Sequence, residues 1–310
     1  MSGQRNIGLD LARAIAIVSV IAAHTTSLQF GAFGVQLFFI ISGYLLADFN
    51  LNFTSMNFLI HRYLRLAPLA IISTSIFYFR FTNVFEIVLN ILLIQAIFSG
   101  VNSFPGGWSI SFEWLFSIMN IILVKLRVKA VFALLLLILL VQLFLYHLST
   151  QDRNFVSHPL ITLATNFGFF VSGHLLKRLN YSHKKVKVWF VLSFFAPLIN
   201  PLPPYNLFIY NIALVLLFLF CLKYNTTKKW ITNIIHFIGV RTYGIFLGHF
   251  IVMIGLQNSF FFMELQKNMG SFGQLLFFLI VLHGAIGIGF VSYRFIEKPM
   301  ILFSNKKFRF

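Results

Sequence analysis

Apolar residues in this chain gather into long runs separated by short polar stretches. The runs lie near residues 7–27, 33–49, 66–79, 84–98, 108–124, 130–147, 159–176, 186–198, 205–222, 233–255 and 271–292. Crossing about 30 Å of hydrocarbon takes about 20 helical residues, so several runs must extend into their flanks. The pattern predicts a chain of membrane helices. The first run is unusual: it reads "LDLARAIAIVSVIAAHTT" over residues 9–26, with Asp10 and Arg13 at one end and His24 near the other. An ionisable group in a bilayer segment costs a few kcal/mol unless it snorkels, pairs or lines a wet cavity. A plain anchor has no use for three of them.

Basic residues between the runs set an orientation. Residues 125–129 hold three Lys or Arg, 177–187 hold five, 223–229 three and 294–309 five. The intervening stretches 99–107 and 199–206 hold none, and 148–158 and 256–270 hold one each. By the positive-inside rule the C-terminus is cytoplasmic, and Arg5 and Arg13 place the N-terminus there too. Two cytoplasmic ends require an even number of crossings, one fewer than the apolar runs. The charge alternation is weakest over residues 50–98, and the run 66–79 is short with Pro68 near its start. A short or re-entrant element near residues 66–98 is therefore expected, at 66–79 in the simplest reading, leaving about ten transmembrane helices. Irregular backbone at membrane depth is tolerated only where it is buried in protein or lines a cavity, so the parity also points to a site near residues 58–98. The expected architecture is all-α: one polytopic membrane domain over residues 1–310, without a separate soluble domain.

Composition agrees with that reading. Of the 310 residues 59% are hydrophobic and 10% charged, against about 25% charged in soluble domains. The net charge of +17 needs no nucleic-acid partner, because the Lys and Arg sit in loops beside the bilayer. Cys221 is the only cysteine, which speaks against disulfides, paired-Cys metal sites and a thiol relay. With seven acidic residues a metal cage is not expected either. Arg5 followed by an apolar run resembles a signal peptide, but Asp10 and Arg13 interrupt it, and an uncleaved first helix is the expectation.

Few residues are placed to do chemistry. Arg13 and His24 lie roughly 16 Å apart along a helix axis and close to the same face. Asp10 and Arg13, spaced i, i+3, can pair. A structural reading remains beside the functional one: Arg13 snorkels and His24 donates to a carbonyl. In "FLIHRYLRLAP", residues 58–68, Arg62 and Arg65 form one cationic face at i, i+3; this is either flank basicity or a guanidinium pair suited to phosphate. In "GVQLFFIISGYLL", residues 34–46, Gly34, Ser42 and Gly43 permit close helix packing. In "FPGGWSISFEWLF", residues 104–116, Glu113 is an intramembrane carboxylate. It either orients a histidine, as buried carboxylates do in acyl-transfer sites, or offsets Arg62 or Arg65. Arg241 and His249 share a later helix in "RTYGIFLGHF", with His249 expected in the outer half. Arg294, Glu297 and Lys298 in "YRFIEKP" read as a charged helix end. No G-x-S-x-G elbow, H-E-x-x-H helix, P-loop or G-x-G-x-x-G fingerprint is present.

Taken in order, "LDLARAIAIVSVIAAH", "GVQLFFIISGYLL", "FLIHRYLRLAP", "WSISFE", "RTYGIFLGH" and "YRFIEKP" resemble the membrane-bound acyltransferase family 3 over essentially the whole chain. Two motifs carry most of the resemblance: an Arg followed by ten residues and a His, met by Arg13 and His24, and Phe-x-x-x-Arg, met by Phe58 and Arg62. The chain departs from the family's pattern at Gln36 and at Trp114, where acidic residues are frequent. Many relatives also carry a further soluble domain.

The resemblance implies an enzyme that moves an acyl group, acetyl by default, from cytoplasmic acyl-CoA to a hydroxyl of a cell-envelope glycan, free or lipid-linked. The glycan would be O-antigen, capsule or exopolysaccharide, and the setting a bacterial inner membrane. Acyl-CoA would be a co-substrate, with no bound cofactor. Arg13, Arg62 and Arg65 would hold the CoA phosphates, and the pantetheine arm can cover the distance to His24. His24 would be the general base on the hydroxyl, or else an acyl-carrying nucleophile, with Glu113 orienting or supporting it. An imidazole at its ordinary pKa suits base work at neutral pH. The competing reading is a transporter or flippase of a glycan or acyl compound that makes no bond.

Overall fold

The computed structural model describes residues 6–27, 32–48, 54–98, 101–149, 159–179, 205–257 and 270–308. Among these there are eleven α-helices and no strand. They are α1 (Ile7–Thr25), α2 (Ala32–Leu46), α3 (Ser55–Ile76), α4 (Val84–Ile91), α5 (Gly107–Leu123), α6 (Val128–Ser149), α7 (Pro159–Arg178), α8 (Tyr205–Lys223), α9 (Lys229–Gln257), α10 (Gly270–Ser292) and α11 (Lys298–Phe308). The expected segment 186–198 lies outside the described residues. Three helical stretches are long and apolar enough to cross a membrane: Ile7–Thr25, Lys229–Leu256 and Gly270–Lys307. Shorter apolar helices cover Phe33–Leu46, Gly107–Leu123, Val128–Val141 and Ile212–Lys223. Large apolar side chains stand exposed along α6 at Phe132, Leu136, Leu137, Leu140 and Phe144, as a lipid-facing helix requires.

The chain divides into two compact units, Met1–Phe38 with Phe218–Pro299, and Phe39–Leu217 with Met300–Phe310. In the first, α1 packs along α9 and α9 along α10. Ala12, Ala16, Ile17, Val20 and Ile21 of α1, Ile245 of α9, and Phe277, Val281 and Ala285 of α10 are buried. Small residues make the close approaches: a Cβ at Gly239 of α9 would lie 2.6 Å from the Cβ of Asp10, and one at Gly244 would lie 2.0 Å from the Ser292 hydroxyl. The helix expected to stop near Lys298 instead passes through a π turn at Tyr293–Glu297 and continues as α11. Ser292 donates to Glu297 across that turn at 3.3 Å, and a side-chain bond of this kind lets a helix change pitch without ending.

The second unit is centred on Phe116 of α5. Its ring meets Phe39 of α2 at 5.1 Å and Phe167 and Phe170 of α7 at 5.3 and 5.4 Å between centroids, separations at which tilted aromatic pairs attract. The α2 and α7 backbones touch at two glycines. A Cβ at Gly43 would lie 1.9 Å from the Phe170 carbonyl oxygen, and one at Gly173 would lie 2.0 Å from that of Ile40.

The irregular element falls at residues 84–106 rather than 66–79. Helix α3 runs unbroken from Ser55 to Ile76 with Pro68 inside it. Its charged Arg62 and Arg65 hide the continuity from a hydropathy reading, and a proline inside a packed helix need only forfeit one backbone bond. The short α4, by contrast, stops at Leu93, whose φ is +59°. A 3-10 turn at Gln95–Ile97 follows, and residues 101–106 are irregular up to Gly106 at φ +77°. Side chains supply the partners that this backbone lacks. Asn83 caps the Glu86 amide at 2.9 Å while Glu86 reaches back to the Thr82 amide at 2.7 Å, a reciprocal box. Asn90 donates to the Glu86 and Asn102 carbonyls at 2.8 Å each, Gln95 to Gly107 at 3.0 Å and Ser111 to Leu93 at 2.8 Å. A non-helical segment held in an apolar setting requires this kind of closure.

The glycine contact between α2 and α7 is directly testable. Gly173→Leu should lower the stability of the detergent-solubilised protein by on the order of 2–3 kcal/mol, since the clash is with backbone that cannot rotate away. Gly287→Ala, where an added Cβ meets nothing within 4 Å, should leave the thermal midpoint at or above wild type. A midpoint for Gly173→Leu equal to that of Gly287→Ala would refute the packing.

Candidate functional site

Helix α1 carries charge at one end and an imidazole at the other because its sequence places Asp10 and Arg13 three residues apart and His24 near its last turn. Asp10 has no exposed surface. Its carboxylate accepts from Arg13 Nη1 at 3.0 Å and from His236 Nδ1 of α9 at 3.0 Å. The side chain of Arg13 keeps 17% of its surface and that of His236 49%. Gly239, one turn beyond His236, makes room for Asp10. A buried carboxylate is stable only when donors replace the water it has lost, so these contacts pin the first turns of α1 to α9.

At the far end of α1, about 20 Å on by helix rise, the partner is again α9. His24 is exposed, and its ring lies 5.5 Å from that of His249 with 30° between the planes, and 5.1 Å from Phe250. Helices α1 and α9 therefore run in the same direction, with Asp10 beside His236 and His24 beside His249. His249 has no exposed surface. Its Nδ1 donates to the Phe246 carbonyl, and its Nε2 is buried with no hydrogen-bond partner among the described residues. The end of α1 is also tied to α10, since the Ser27 amide and hydroxyl both donate to Gln274 Oε1, at 3.0 and 3.1 Å. One imidazole accessible to a reactant and a second buried behind it, walled by phenylalanines, can hold and move a proton.

The second unit holds the other expected residues. Arg62 of α3 is buried at 5% exposure. Its Nη2 donates to Glu113 Oε1 at 2.7 Å and its Nε to the Ser117 hydroxyl at 3.1 Å. Glu113 Oε1 also accepts from the Ser42 hydroxyl at 3.2 Å. Ser117 closes the ring by donating to the Glu113 carbonyl at 2.8 Å. Arg65, one turn further along α3, is exposed. The two guanidiniums that read as one cationic face thus have different environments, one locked against α5 and one facing outward.

Asp10 with Arg13 and Arg62 with Glu113 are each brought together, while His24 meets His249. Four participants escaped the sequence reading. His236 and Ser117 were assigned no role, Ser42 was read as packing, and His249 was placed only by depth. Each contact joins residues from different helices, so no spacing within one helix signals it. Gly239, the small residue one turn after His236, was the only local cue. No three His, Cys, Asp or Glu side chains converge on a metal-sized site among the described residues.

Comparisons with curated proteins and with solved structures return no match. The family model described as an acyltransferase domain matches residues 6–294, a span that takes in Asp10, Arg13, His24, Arg62, Arg65, Glu113, His236 and His249. The chain is a membrane acyltransferase and belongs to the membrane-bound acyltransferase family 3.

Proposed function

We propose that this protein transfers an acyl group, acetyl in the simplest case, from cytoplasmic acyl-CoA to a hydroxyl of a cell-envelope glycan such as O-antigen, capsule or exopolysaccharide. The supporting observation is the layout of α1. Arg13 is held by a buried carboxylate at one end, and His24 is exposed beside a second imidazole at the other. Roughly 16 Å of helix separates the two, a distance that the pantetheine arm spans. The donor's phosphates are assigned to Arg13, to the exposed Arg65 and to Arg62, whose position Glu113 and Ser117 fix. The thioester then reaches His24 while the nucleotide stays at the cytoplasmic surface of a bacterial inner membrane, where both termini also lie.

In the chemical step neutral His24 takes the proton of the acceptor hydroxyl as its oxygen bonds to the acyl carbon. The C–S bond breaks, and the departing sulfur recovers the proton from His24. The products are the glycan ester and free CoA. Glu113, held in place by Arg62 and Ser42, is assigned to support the base electrostatically.

Two predictions check this reading. Membranes carrying the wild-type protein should transfer label from acetyl-CoA into envelope glycan, and His24→Ala should lower that rate at least ~100-fold while still inserting. Undiminished transfer by His24→Ala would refute the assignment. Absence of transfer across acyl-CoAs and glycans, with glycan movement instead, would make the protein a transporter.

The arginines should separate by parameter. Arg13→Ala and Arg65→Ala should each raise KM for acyl-CoA about tenfold, the loss of one charge-assisted contact, and Arg13→Ala should also lower the thermal midpoint because it takes a partner from buried Asp10. Arg62→Ala should also destabilise the protein by about 2–3 kcal/mol, because it strands Glu113. Replacing both partners, as Arg62→Met with Glu113→Met, should restore most of the thermal midpoint without restoring KM.

A further inference from the structure

His249 is the feature that the proposed chemistry leaves unused. A neutral imidazole has one N–H, and His249 spends it on the Phe246 carbonyl. Its Nε2 is therefore a lone pair, and it is buried without a partner among the described residues. An unsatisfied buried acceptor costs about 1–3 kcal/mol, and a histidine serving only to fill space would pack as well with that nitrogen bonded or replaced by carbon. Its ring neighbours are Phe250 at 3.9 Å, Phe246 at 5.7 Å and His24 at 5.5 Å between ring centres, so His24 is the polar group among them. Both ends of α1 are held, at Asp10 by His236 and at Ser27 by Gln274, so the approach of the two rings follows from the packing of three helices.

We propose that His249 is the positioning residue of His24. Its bare Nε2 accepts a hydrogen bond from the His24 N–H, and that bond closes when the exposed His24 ring turns out of its stacked arrangement as the acceptor site fills, as catalytic hydrogen bonds commonly do on substrate binding. The bond selects one tautomer of His24 and leaves its other nitrogen as a lone pair toward the hydroxyl. This is the part that a carboxylate plays toward the histidine of a serine-protease triad, here performed by a neutral ring whose tautomer is set by backbone. When His24 takes the hydroxyl proton it becomes an imidazolium with its second N–H still bonded to His249. When the sulfur leaves, the proton passes from His24 to sulfur and His249 neither gains nor loses one. This inference rests on the reading of His24 as the base.

The test uses the full chain in lipid nanodiscs and compares wild type, His249→Gln and His249→Leu. Gln offers an acceptor oxygen near the place of Nε2, whereas Leu fills the space without one. Nitrogen-15 NMR of labelled histidine, with the His24 signals assigned by their loss in His24→Gln, should show one dominant His24 tautomer in wild type and His249→Gln and a mixture in His249→Leu. In the acetyl-transfer assay His249→Leu should lose about 100-fold in kcat with KM for acetyl-CoA unchanged, and His249→Gln should recover to within about tenfold of wild type. An unchanged His24 tautomer in His249→Leu overturns the proposal, as does an equal loss of kcat in both variants. The NMR arm needs no turnover: a tautomer shift in a protein that transfers no acyl group would sustain the pairing and overturn the proposed activity.

Discussion

A carboxylate removed from water is stable in a membrane helix only if hydrogen-bond donors or opposite charges surround it, and Asp10 is such a group. It ties Arg13 on its own helix and His236 on another, and that tie fixes the register of α1 against α9. Register is what counts, because the next functional contact lies about 20 Å further along both helices. A slip of one residue would turn His24 by about 100° away from His249. The glycines at the crossing, Gly239 above all, let the two backbones come close enough for a short aspartate to bridge them. The charge at one end of α1 thereby sets the geometry of the imidazoles at the other.

The second unit solves a related problem without a long helix. Where α4 stops, backbone groups lose their helical partners, and Glu86, Asn90, Gln95 and Ser111 replace them. Beside that network Arg62 and Glu113 neutralise one another between α3 and α5, with two serine hydroxyls satisfying further lone pairs and donors. A pair that is mutually compensated and buried is rigid, which suits it to hold a shape; Arg65, exposed on the next turn, suits contact with a mobile ligand. Three steps of about 100° leave residues i and i+3 some 60° apart around the helix. That is close enough to read as one face, and wide enough for one side chain to enter a helix seam while the other stays outside.

Much of the architecture was legible in one dimension. Apolar runs of membrane length, the alternation of basic loops and the family's motifs led to an all-helical membrane acyltransferase, and the pairing of Asp10 with Arg13 followed from helix geometry alone. The irregular element was anticipated from parity but assigned to the run at Pro68. Hydropathy sees a proline and a charge pair as interruptions, whereas α3 passes through both. The break at Leu93 depends on a left-handed residue and on a network of amides drawn from several segments, and neither has a hydropathic signature.

The division follows the range of the forces involved. Burial of apolar surface and the helical repeat act locally, so the order of residues by itself determined the class of fold, the family and the positions of Arg13, His24, Arg62, Arg65 and Glu113. Hydrogen bonds and ion pairs reach only a few ångströms, and they select partners according to which helices lie side by side. That is why only the tertiary structure decided that Asp10 would hold His236, that Glu113 would hold Arg62 and Ser42, and that the exposed imidazole of His24 would stand beside the buried ring of His249.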